Sequence, residues 1–278
     1  MSTGEPAQTH TGGLTGTQLK YLAAFFMVID HIGMLFHPMA SFLPPEDLRY
    51  DLFRYLGRLA FPIFAFFVAE GCRKTRCWSS YVKRLFFFTL LTQIPLYIVM
   101  PRDGFSIMTT FFLAVLAIGC IRILRAKGHP AAAFLAGAAC IILAQLLHGD
   151  YGWVGALTVV SLYLCGEDRS RQFRVLAACL CLYYLGGVIW DWWLSSALEL
   201  LAVGSFGAIW STLNGRMSSF CSFALPHAML MAICSCAALI PLSRYDGRRG
   251  NGSRWFFYWF YPLHLLFLYG ASLLLARS

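Results

Sequence analysis

The sequence predicts an all-α, polytopic helical membrane protein with nine or ten transmembrane helices, and three observations predict it. Apolar runs of about 17–25 residues, the length that crosses a hydrocarbon core, recur from end to end of the chain. Hydrophobic residues make up 59% of it and charged ones 13%, where a soluble domain is about a quarter charged. Lys and Arg gather in a few of the connections between runs, the pattern that sets orientation in a bilayer. The formal charge of +9 is accounted for by that pattern and does not point to nucleic acid; the partner it implies is the lipid bilayer.

Residues 1–18 read as a polar cytoplasmic tail without a basic n-region. The apolar run that follows has no small-residue cleavage site behind it, so it reads as a retained helix and not a signal peptide. Residues 19–278 read as one integral-membrane domain, with spans near 19–37, 56–71, 82–100, 107–124, 131–147, 151–165, 175–191, 195–213, 221–242 and 255–275. The second-to-third connection carries Arg73, Lys74, Arg76, Lys83 and Arg84. The fourth-to-fifth carries Arg122, Arg125 and Lys127, and the sixth-to-seventh carries Arg169, Arg171 and Arg174. All three belong on the cytoplasmic side, which puts the N-terminus there too. The loop with Arg244, Arg248, Arg249 and Arg254 keeps the alternation only if 195–213, which holds Gly204 and Gly207, is re-entrant or lies at the surface; this favours nine spans. Trp190, Trp192 and Trp193 then mark the outer interface. Cys120, Cys140, Cys165, Cys181, Cys234 and Cys236 lie in or beside apolar runs without metal-ligand spacing, so they read as small apolar side chains, and neither a disulfide framework nor a metal is expected.

Against this apolar background Asp30 and His31 stand out in the middle of the first span. A charge at that depth costs at least ~2.5–3.5 kcal/mol on insertion scales and usually marks a site, a relay or a partner. With a rise of 1.5 Å per residue, His31 lies roughly 16 Å above Lys20 and on nearly the same helix face. Measured from Glu70, Arg58 comes to roughly 18 Å on the second span; measured from Arg84, Gln93 comes to roughly 13 Å on the third. Asp30, His31, Arg58 and Gln93 are therefore expected at one depth. Two readings fit them: a structural ion pair between Asp30 and Arg58 with an interhelical hydrogen bond from Gln93, or a site in which the imidazole serves as a general base near neutral pH. Arg54 reads as a solvated residue of the outer loop, Asp150 as the N-terminal cap of the sixth span, and His264 as a satisfied histidine at the kink after Pro262.

The blocks Lys20 to Gly33 with Asp30-His31-Ile-Gly33, Gly57-Arg58-Leu-Ala-Phe-Pro62-Ile-Phe, Glu70-Gly71, Gln93-Ile-Pro95, Asp150-Tyr151-Gly152, Tyr245-Asp-Gly247-Arg-Arg-Gly250 and Phe257 through Pro262-Leu-His264 resemble the TraX family. The likeness is densest before residue 165. It implies an acetyltransferase of the bacterial cytoplasmic (inner) membrane. The founding member acetylates the N-terminus of conjugative pilin, and the family is similar to wider multi-span acyltransferases that use cytoplasmic acyl-CoA. One branch of these carries Arg-x10-His on its first helix, where this chain has Lys20-x10-His31. The resemblance thus implies acetyl-CoA as co-substrate. Its phosphates would lie near Lys20, Arg73, Lys74 and Arg84, with Gln93 along the donor path. His31 would be the base, Asp30 would orient it or stabilise its imidazolium, and Arg58 would stabilise the developing oxyanion or hold Asp30 ionised. An unidentified acceptor would enter from the outer side near His148, Asp150 and Tyr151. A rival from another class is a proton-coupled secondary transporter using the same Asp/His/Arg cluster. An oligomer is compatible with either.

Overall fold

The computed structural model describes residues 12–39, 48–100, 104–202, 204 and 206–275, and these form helices joined by turns and two isolated β-bridges. In chain order they are α1 (Gly16–Met39), α2 (Leu48–Gly57), α3 (Ala60–Lys74), α4 (Trp78–Val99), α5 (Ile107–Ala126), α6 (Pro130–Leu146), α7 (Gly152–Leu164), α8 (Arg169–Ala202), α9 (Ile209–Ser243) and α10 (Arg254–Leu275). Among the described residues seven helical segments are long and apolar enough to cross a membrane, the second of them uniting α2 and α3 as Asp51–Lys74. α6 and α7 are apolar but shorter. The protein is an all-α polytopic membrane protein.

Side-chain contacts fix which connections share an end of the bundle. Lys74 Nζ lies 3.2 Å from the Gly247 carbonyl, Arg122 sits 4.7 Å over the Trp78 ring, and Arg169 sits 4.7 Å over Tyr245. The basic connections after α3, α5, α7 and α9 therefore lie together. This agrees with the charge pattern. Among the described residues of 195–213, those up to Ala202 end α8, Gly204 lies in a turn and those from Ile209 begin α9, and no separate crossing is formed by them. α8 has 34 residues, or about 51 Å of helix, well beyond a hydrocarbon core of about 30 Å. Wide helical turns at Leu182–Gly186, Trp190–Leu194 and Phe220–Ala224 interrupt the regular α-helix of α8 and α9.

Small side chains let the central helices approach closely. Ala65 and Ala69 of α3, Ala114 and Ala117 of α5, and Ala156 of α7 are fully buried. Two departures from long straight helices then build the site. The second expected span is broken: α2 ends at Gly57 and α3 starts at Ala60, leaving Arg58 in the break. Pro62 has no N–H to give the Arg58 carbonyl four residues earlier, and the Ser235 hydroxyl of α9 takes that carbonyl at 3.2 Å. The second departure is the shortness of α7, 13 residues or about 20 Å. It draws the turn 147–151 into the bundle, where Asp150 N donates to Phe105 O (3.0 Å) and Phe105 N to His148 O (3.3 Å).

Of the expected polar tail, residues 1–11 lie outside the described residues, and the stretch after them is docked. Leu14 N donates to Arg244 O, Gly16 N to Arg248 O and Thr17 N to Arg249 O, at 2.7–2.9 Å. Asp246 closes the partner loop: its carboxylate accepts from Arg248 N (2.8 Å) and Nε (2.8 Å), with Gly247 at φ 83° completing the turn. The hydrogen bonds from Arg248 hold the Asp246 carboxyl below its ordinary range. A depressed folded-state pKa stabilises the fold above the unfolded value of about 3.9 and loses that contribution as pH falls through the folded value. Hydrogen-exchange protection of Leu14 and Gly16 is therefore expected to hold between about pH 7 and 5 and to drop below about pH 4; a flat protection profile down to pH 3 would contradict it. All ten cysteines are free thiols.

Candidate functional site

α1 carries Asp30 and His31 side by side, and on a helix neighbouring residues point about 100° apart. They consequently serve different partners. Asp30 faces α2 and the break after it: its Oδ2 pairs with Arg54 NH1 and its Oδ1 with Arg58 NH2, each at 2.9 Å. Arg58 Nε also donates to the Arg54 carbonyl (3.2 Å), and NH1 reaches the Tyr151 hydroxyl at a longer 3.4 Å. Arg54, expected to be solvated, is thus part of the cluster. The signal was its i, i+4 spacing from Arg58, which places both guanidinium groups on one face. Among the described residues Asp30 makes no hydrogen bond to His31, so of the two roles the resemblance implies for it, orienting the imidazole has no hydrogen bond behind it.

His31 is 9% exposed, and its Nδ1 lies 2.8 Å from the Met27 carbonyl of its own helix. The Nδ1 also lies 3.1 Å from Nε2 of His264 on α10, whose own Nδ1 is 2.9 Å from Phe260 O. The Phe260 ring stacks on His264 at 4.8 Å, and Tyr261 sets an edge against both imidazoles.

Asp30, His31, Arg54, Arg58, Phe260 and Tyr261 border one cavity of about 520 Å³, a size typical of small-molecule sites, and His264 lies behind this lining. Lys20, Phe67, Gly71 and Tyr81 line its end nearest the basic connections. Met27, Asp30, His31, Arg54, Arg58, Phe64, Asp150 and Tyr151 also line it, with Asp30 and His31 roughly 15–16 Å along α1 from Lys20. Lys20 Nζ lies 4.8 Å over the Phe67 ring. Tyr151 stands at the start of α7 with φ 60°, an uncommon left-handed conformation for a non-glycine residue, and stacks on Phe61 at 3.8 Å. Asp150 does not cap α7, which has no side-chain cap; its carbonyl accepts from Thr110 (2.7 Å) while its side chain borders the cavity.

Other residues singled out from the sequence lie elsewhere. Arg73 and Lys74 border a second, smaller polar cavity of about 260 Å³ with Glu70, Glu167, Arg169 and Gln172. There Lys74 pairs with Glu70 at 2.9 Å, and Arg73 NH1 donates to Leu162 O at 2.8 Å. Arg84 is off the main cavity but donates from Nε to the hydroxyl of Tyr258, which lines it (3.1 Å). Gln93 does not border the cavity. Its amide clamps the loop before α5, donating to Gly104 O (3.0 Å) and accepting from Ser106 N (3.2 Å), so its partner is loop backbone and not a neighbouring helix. His148 is also off the cavity: it is exposed at φ 51°, and its carbonyl serves the Phe105 bridge.

The fold and the site define a polytopic helical membrane protein that buries a charged, histidine-containing cavity between its helices. Residues 15–272 match the TraX family, described as TraX protein, and the chain belongs to that family. It is similar to a protein of Dichelobacter nodosus named "Probable fimbrial assembly protein FimC, serogroup H1", with 25% identity over 272 residues, covering 93% of this chain and 96% of the relative. No solved structure matches the chain.

Proposed function

We propose that the protein is an acetyl-CoA-dependent acetyltransferase of the bacterial cytoplasmic membrane, with its N-terminus cytoplasmic, acting on an amine or hydroxyl presented from the outer side. The observation that carries this reading is a single cavity lined by Lys20 and, roughly 16 Å along the same helix, by His31 beside the Asp30–Arg58 pair, with Asp150 also on its wall. That order suits a donor entering phosphate-first from the cytoplasm, with Lys20 as a point charge at the mouth and the thioester at mid-depth. The second polar cavity, with Arg73 and Lys74, lies on the same cytoplasmic end and offers further cations to the nucleotide. TraX membership and the fimbrial-assembly name of the Dichelobacter relative favour a pilin-type protein N-terminus as the acceptor.

In the transfer, Nε2 of His31 takes the proton of the acceptor N–H or O–H while the acceptor atom attacks the thioester carbon. The loosely held NH1 of Arg58 turns from Tyr151 to the developing oxyanion. The C–S bond then breaks, and the proton on His31 passes to the departing thiolate, giving the acetylated acceptor and CoA. Asp30 keeps both arginines in place.

The test uses detergent-solubilised protein and acetyl-CoA, with water as the acceptor. His31→Ala is expected to cut hydrolysis at least about 100-fold while acetyl-CoA binding stays within twofold. Lys20→Ala is expected to weaken acetyl-CoA binding about 5–10-fold, on the order of 1 kcal/mol. A folded wild-type protein that does not bind acetyl-CoA would overturn the transferase reading and leave proton-coupled transport as the next to examine.

A further inference from the structure

We infer that His264 is the positioning residue for His31: it shares the Nδ1 proton that the Met27 carbonyl holds on His31, which leaves Nε2 unprotonated, and it steadies the charge when that nitrogen takes up a proton. The inference rests on His31 being the base of the proposed transfer. It follows from hydrogen-bond bookkeeping. A carbonyl oxygen only accepts, so the 2.8 Å contact between Met27 O and His31 Nδ1 requires a proton on that Nδ1. The 2.9 Å contact between Phe260 O and His264 Nδ1 requires one there as well. In the neutral pair Nε2 of His264 is then a bare acceptor, and it lies 3.1 Å from the His31 Nδ1–H. That hydrogen is shared between a carbonyl and an imidazole, and the basic nitrogen left on His31 is Nε2.

The arrangement does what an adjacent carboxylate does for a catalytic histidine, with a different group. Asp30 cannot serve, because both its oxygens are taken by Arg54 and Arg58. When His31 accepts the acceptor's proton at Nε2, its Nδ1–H becomes the donor of a charge-assisted bond to His264 Nε2, which is stronger than the neutral one. The His264 ring is held for this by stacking on Phe260 and by burial to 7% exposure. Two long helices at opposite ends of the chain, α1 and α10, are thereby joined at the reacting residue.

Three variants of the full-length protein test this by acetyl-CoA hydrolysis and acetyl-CoA binding. His264→Leu removes the acceptor, whereas His264→Gln keeps a carbonyl oxygen close to where Nε2 stands. The Leu variant is expected to lose roughly 10–100-fold in kcat, the range for a lost general-base contribution or less, with acetyl-CoA binding within twofold of wild type. The Gln variant is expected to recover most of that loss; a purely packing role would not distinguish the two in this direction, because Leu fills an apolar site better than Gln. A Leu variant with wild-type kcat, or a Gln variant that binds acetyl-CoA yet is as slow as Leu, overturns the inference while His31→Ala remains inactive. If His31→Ala itself turns over at the wild-type rate, the base assignment falls and this inference with it.

Discussion

Replacing Asp30 by alanine is expected to lower stability by about 3 kcal/mol, the lower end of the ~3–5 kcal/mol for breaking a buried ion pair from one side. The reason is the loss of the shared partner: Arg54 and Arg58 both lean on one carboxylate, and their side chains are only 21% and 12% exposed. Two guanidinium groups would face each other with no counter-charge. The lower end of the range applies because the Asp30 side chain keeps 17% exposure, towards the cavity. Thermal survival on gel filtration in detergent reads the loss. Adding Arg54→Met to Asp30→Ala is expected to restore part of it, since one uncompensated charge then disappears. A double variant no more stable than Asp30→Ala would mean that the two arginines do not repel each other there.

The second large effect is expected at Gly57, the last residue of α2. A Cβ there would overlap the Asp30 Cβ and Oδ1, so α1 and α2 can approach this closely only because the position is glycine. Gly57→Ala must push the helices apart or swing Asp30 off its arginines. Overpacking of this kind costs typically ~1–3 kcal/mol, and the loss of Asp30 geometry is expected to add to it. Gly215→Ala is the control: on α9 nothing lies within 4 Å of the added carbon, and the change from glycine is expected to stabilise the helix by up to about 1 kcal/mol. Equal melting behaviour of the two variants would refute the close-approach argument.

The helix-rich membrane class and most of the helix positions were legible because apolar length and loop charge are local properties of the chain. At 195–213 a crossing, a re-entrant segment and a surface segment stay open from sequence, since a run of 18 or so apolar residues looks the same whether it crosses a bilayer or forms the two sides of a bend. Depth counting placed Asp30 and Arg58 together correctly, because both positions lie a fixed number of residues from a charged helix end. It could not place Gln93, whose side chain reaches along the helix end to a loop backbone. Arg54 escaped for a related cause: it was counted as loop because α2, with its charged residues, lacks the apolar run that marks a span.

The sequence by itself determined the class, the family likeness, the mid-helix Asp30–His31 pair and its distance from Lys20. All of these follow from spacing along one helix and from composition. Only the tertiary structure decided which partner each polar residue takes. Asp30 turns to Arg54 and Arg58, and His31 meets His264 from 233 residues away. Gln93 goes to a loop, and Asp150 comes down to the level of Arg58 on the turn between two short helices. The physical reason is rotation about the helix axis and helix–helix register: a hydrogen bond needs placement to within an ångström. That is set by small residues at crossing points, by a proline that frees a carbonyl and by a helix that ends early, and none of these effects is visible until the helices are packed.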